Sequence, residues 1–84
     1  MDVKQAVEVA KQQIRNIFGA EIVLPPSLEE VWLDKPKSEW CVTLGIQRGL
    51  SPLAGLNLPE YKTVRISAVD GGLISIRNRE IAVV

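Results

Sequence analysis

The sequence predicts an α+β fold in which an N-terminal helix packs on one face of an antiparallel sheet of three to four strands, in α-β-β-β-β order. Three observations lead there. Apolar residues recur at helical spacing over 2–18, they alternate with polar ones over 39–48 and 61–79, and Asp70-Gly71-Gly72 breaks the last stretch into a hairpin. At 84 residues the chain accommodates a single domain, 1–84, built on one core.

In the helix, Val3, Val7, Ala10, Ile14 and Ile17 fall on one stripe, while Lys4, Glu8, Lys11, Gln12 and Arg15 face away. Asp2 is placed as N-cap with Gln5 three residues later, as in a capping box. Gly19 follows where a left-handed residue would close the helix. Residues 21–24 read as an extended connector, and Pro25-Pro26 excludes both helix and central strand.

The first strand spans about 28–34, with Trp32 on one side and Val31 and Leu33 on the other. The pattern leaves open which side meets the helix. Glu29 and Glu30 are adjacent, so a regular strand points them to opposite faces, where they form no acid/base pair. After the polar turn 34–38, strand 39–48 sets Trp40, Val42, Leu44 and Ile46 against Glu39, Cys41, Thr43, Gly45 and Gln47.

Residues 49–59 carry no charge, two prolines and two glycines, which argues against regular structure. Leu50, Leu53, Leu56 and Leu58 in this segment either fold over an open end of the core or form an interaction loop. The terminal Ile81-Ala82-Val83-Val84 poses the same choice between extending the last strand and docking on another chain.

The final hairpin joins strands at about 61–69 and 73–79. Opposed residues share a face, so a three-residue loop 70–72 would pair Ala68 with Ile74 and Ile66 with Ile76, with Gly72 at positive φ. On the other face Arg65 would oppose Arg77, Thr63 would oppose Arg79, and Ser67 would oppose Ser75. Opposed like charges call for an acidic residue or a bound anion nearby. The expected core is Val7, Ala10, Ile14, Ile17, Trp40, Val42, Leu44, Val64, Ile66, Ile74 and Ile76, and the open face carries Cys41, Thr43, Arg65, Ser67, Ser75 and Arg77.

Composition narrows the chemistry. Ten basic and ten acidic residues balance with no Lys/Arg-rich run, which gives no support for nucleic-acid binding by charge. Apolar runs are too short for a membrane span or a signal core, so a cytoplasmic setting and no membrane partner are expected. Cys41 alone excludes an internal disulfide, and its acidic neighbourhood disfavours a thiolate. The absence of histidine removes the common catalytic triads and the commonest zinc ligand, and no cofactor set is evident. What remains is Arg65, Arg77 and Arg79, joined by Arg48, as a candidate face for a small anion or an acidic peptide. The competing reading is a solvated face neutralised by Glu39 or another carboxylate.

Three stretches, Ala6-Val7-Glu8-Val9-Ala10, Trp40-Cys41-Val42-Thr43-Leu44 and Val69-Asp70-Gly71-Gly72-Leu73-Ile74, together with the element order, resemble PepSY-type domains. The turn is shorter than the Asp-x-x-Thr-Gly usual there, and the Leu/Pro segment lies outside that pattern. The resemblance implies a small regulatory domain without catalytic residues; such domains occur in propeptides of thermolysin-like peptidases, where they restrain the enzyme. The expected function is therefore a non-enzymatic interaction or regulatory module that binds a protein partner or itself, with binding of a small anionic ligand at the arginine face as the alternative.

Overall fold

The computed structural model describes residues 1–22, 24–47 and 60–79. Arg48, the four leucines Leu50, Leu53, Leu56 and Leu58, and the terminal residues 81–84 lie outside these. A helix α1 (Val3–Phe18) is followed by strands β1 (Ser27–Asp34), β2 (Glu39–Ile46), β3 (Glu60–Ser67) and β4 (Leu73–Asn78). The strands form one sheet in the order β1-β2-β3-β4, antiparallel throughout, with α1 on one face. The expected fold class is the observed one.

The capping box forms at the start of α1: the Gln5 amide donates to Asp2 Oδ1 at 2.8 Å, and the Asp2 amide donates to Gln5 Oε1 at 2.9 Å. At the other end the expectation of a left-handed cap is corrected. Gly19 is right-handed, with φ −53° and ψ −36°. Its lack of a side chain serves close approach instead, since a Cβ there would lie 2.2 Å from the Arg15 carbonyl oxygen.

Ala6, Val7, Ala10 and Ile14 of α1 are buried against Val42, Leu44 and Ile46 of β2 and Val64 and Ile66 of β3. Val31, Trp40 and Ile76 close the rim of this core. Two expected members are excluded from it. Ile17 is 54% exposed because the last turn of α1 directs Phe18 inward instead, where the Lys62 ammonium lies 5.3 Å from the ring centroid. Ile74 is 48% exposed, for a reason that lies in the β3–β4 register.

Strand pairing assigns the faces. Trp40 opposes Ile66 and Val42 opposes Val64, and on β1 Leu33 and Val31 stand opposite the same two β2 residues. The helix side of β1 is therefore Val31 and Leu33, and Trp32, opposite Cys41, belongs to the open face.

The β3–β4 hairpin departs from expectation. Val64 opposes Ile76 and Arg65 opposes Ser75, so the pairing is shifted by two residues, and Arg77 faces Thr63 instead of Arg65. A wider turn causes this. Residues 68–71 form the loop, closed by the Ser67 amide donating to the Gly72 carbonyl and the Gly71 amide donating to the Ser67 carbonyl, both at 2.9 Å. Ser67 Oγ accepts from the Val69 amide at 3.2 Å, and Asp70 Oδ1 accepts from the Gly72 amide at 2.7 Å, so local side-chain bonds select this turn over the shorter one. The left-handed residue is Gly71, at φ 74°, not Gly72. Beyond the turn Ile66 opposes Leu73 while Arg65 opposes Ser75, which leaves Ile74 as a bulged extra residue that no partner draws inward.

This geometry separates the two glycines experimentally. Gly71→Ala is expected to cost about 1 kcal/mol of stability through its positive φ. Gly72→Ala should cost less, and urea denaturation of both variants checks the order.

Candidate functional site

The open face is organised by a conflict between like charges. A four-residue turn, 35–38, joins β1 to β2, so its flanking residues Asp34 and Glu39 stand directly opposite each other. Two opposed carboxylates repel. Arg65, opposite Cys41 on the neighbouring strand, resolves this by reaching both: its Nη2 lies 2.6 Å from Asp34 Oδ2, and its Nε lies 2.8 Å from Glu39 Oε1. These bonds, that to Glu39 first, raise the Arg65 pKa and lock its charge. The Trp32 ring centroid lies 5.9 Å from the same guanidinium.

A second arginine crosses the sheet. The Arg79 amide donates to the Tyr61 carbonyl of β3, yet Arg79 Nη1 reaches Glu30 Oε1 of β1 at 2.7 Å and donates to Thr43 Oγ1 at 3.3 Å. Bonding to Glu30 raises its pKa. Thr43, buried on this face, shares a 3.0 Å hydroxyl bond with Thr63 beneath the crossing side chain. Cys41 is 1% exposed between Trp32 and Arg65, and burial, opposed by Arg65, pushes its thiol pKa up.

The reading of Glu29 and Glu30 as residues of opposite faces is corrected. Pairing slips between Leu28 and Glu30, which makes Glu29 a bulge residue. Its carboxylate accepts from Ser27 Oγ at 2.9 Å and lies over Gly45 on the open face, the side on which Glu30 meets Arg79. Each carboxylate has its own partner, so the pair is structural.

The arginines named from the sequence thus separate. Arg65 and Arg79 are engaged by carboxylates, whereas the Arg77 side chain makes no hydrogen bond or ion pair among the described residues. Arg77, Arg65, Thr63, Ser75 and Lys37 line a cavity of about 190 Å³ between the β1–β2 turn and strands β3 and β4. The side chains of Lys37 and Ser75 are likewise without a hydrogen bond or ion pair among the described residues. Sequence reasoning missed Lys37, Asp34 and Trp32 as parts of this surface. The signal for Asp34 was present, because a four-residue turn between 34 and 39 forces those two acids together.

Among the described residues no group of three or more metal-ligating side chains converges, and no helix is long and apolar enough to cross a membrane. Comparison with protein-family models, curated proteins and solved structures finds no match to this chain.

Removing the cation between Asp34 and Glu39 should be costly. Arg65→Ala is expected to lose about 1–2 kcal/mol at low salt, allowing for the partial exposure of all three groups, and Arg65→Lys should recover only part. Denaturation midpoints in low and high salt measure it, and an unchanged midpoint would mean that the carboxylates do not depend on Arg65.

Cys41 supplies a pH prediction. Because its folded-state pKa is raised, its stabilising contribution is complete below the unfolded thiol pKa, about 8.5, and is lost as pH rises from there toward the folded value. Wild type should therefore lose more stability than Cys41→Ala above about pH 8.5. Parallel curves for the two proteins would contradict this.

Proposed function

We propose that the chain is a non-enzymatic interaction module that recognises a protein partner through the open face of its sheet. The observation that carries this reading is Trp32. The ring stands on that face, 46% exposed, beside the fixed guanidinium of Arg65 and with no second layer over the sheet among the described residues. Tryptophan and arginine concentrate binding energy when a partner dries them, and a side chain already held in place loses little freedom on binding. The internal ion pairs of Arg65 and Arg79 hold the surface in shape, while the uncommitted Lys37 and Arg77 favour a partner with acidic groups. Restraint of another protein, as the PepSY resemblance implies, is the finer form of this reading and would use the same surface. The absence of histidine from the sequence removes the common Ser-His and Cys-His nucleophile pairs and supports binding over catalysis.

The test compares immobilised wild type with Trp32→Ala, both verified as folded by circular dichroism, in capture from an extract of the source cell. A protein retained by wild type should bind the variant at least about 30-fold more weakly, as at an interface hot spot. Equal capture by both forms would place the interaction elsewhere. Light scattering over a concentration series accompanies it: a dimer that Trp32→Ala converts to monomer would identify the partner as a second copy.

A further inference from the structure

We infer that the cavity lined by Lys37, Thr63, Arg65, Ser75 and Arg77 is a seat for a phosphate group carried by a side chain of the partner. The inference rests on the reading of the open face as the interaction surface and adds the chemistry of what that surface takes.

The cavity's size comes first. About 190 Å³ is below the roughly 300–1,000 Å³ of sites for free small molecules, and it suits one side chain projecting from a larger ligand. Charge comes second. Arg65 contributes a wall whose charge Asp34 and Glu39 already balance, at 2.6 and 2.8 Å. The cations left for a ligand are Lys37 and Arg77, which have no ion pair among the described residues. Two uncommitted cations match a phosphate monoester, which carries about −1.5 to −2 charge near neutral pH, better than a carboxylate with its single charge.

Donor placement favours phosphate as well. Lys37 comes from the β1–β2 turn, and Ser75 and Arg77 come from the same face of β4. A planar carboxylate is satisfied by one arginine fork. An ammonium, a guanidinium and the free Ser75 hydroxyl brought from separate points suit a group whose terminal oxygens diverge. Thr63 adds wall; its hydroxyl shares a 3.0 Å bond with Thr43 in which either oxygen can donate, so the seat does not depend on it. The acids flanking Arg65 limit the seat to one anion.

Amide-detected NMR titration at about pH 7.5, where the phosphate is mostly dianionic, tests the seat. The probes are O-phosphoserine, inorganic phosphate, sodium acetate and sodium chloride at matched ionic strength. Phosphoserine is expected to give saturable shifts confined to residues 37, 63, 75 and 77, with inorganic phosphate no tighter and acetate and chloride giving only weak, linear shifts. Lys37→Gln and Arg77→Gln should each weaken phosphoserine about tenfold, and the double variant should show no saturation. Acetate binding as tightly as phosphoserine, or saturation surviving in the double variant, overturns the seat. Inorganic phosphate binding tighter than phosphoserine overturns the assignment to a partner's side chain. The two readings fail separately: loss of the phosphoserine response with Trp32-dependent capture intact removes the seat alone, whereas a normal response with capture indifferent to Trp32→Ala removes the interaction face alone.

Discussion

The arrangement of the open face depends on Arg65. The β1–β2 turn sets Asp34 against Glu39, and without a cation between them that end of the sheet would carry two repelling, largely buried acids. Arg65 settles the repulsion, and in doing so it stands opposite Cys41 and holds its guanidinium over the Trp32 ring. One side chain therefore governs the turn, the buried thiol and the exposed aromatic. Arg79 performs a similar service farther along, where Glu30 and Thr43 meet its guanidinium.

The two faces divide the labour of the sheet. The helix side is apolar except near its end, where Lys62 is 8% exposed, lies over Phe18 and donates to Asn78. Its ammonium is 3.6 Å from Glu60, so the charge is accommodated at the rim where the core gives way to solvent. The opposite side has no apolar layer among the described residues and is held by ion pairs and hydroxyl bonds, which fix side-chain positions more than they add stability.

Much of the fold was legible because period and capping act locally. The stripe Val7-Ala10-Ile14, the Asp2–Gln5 box and the alternation from Trp40 to Ile46 each require only their own neighbours to be read. The misreadings fell where a local competition decides. Ser67 and Asp70 bond to nearby amides and widen the last turn, which moves the pairing by two residues and expels Ile74. A bulge at Glu29 cannot be seen in a pattern that assumes strict alternation. Of the site, the arginines and one partner, Glu39, were visible, but not Asp34 or Glu30, because which arginine meets which carboxylate follows from register across four strands.

The two hairpin turns at one end of the sheet are also joined directly: the Ala68 amide donates to the Ser38 carbonyl at 2.8 Å, and Ser38 sits at φ 52° to present it. The loop that bears Lys37 is thereby fastened to the loop that launches β4. Fraying at either hairpin tip must break this bond and disturb the other, so the tips open as one cooperative unit instead of as two independent loops. A change in sequence at 68–71 would then be felt at residue 37, some thirty positions earlier in the chain, through a bond between two backbones.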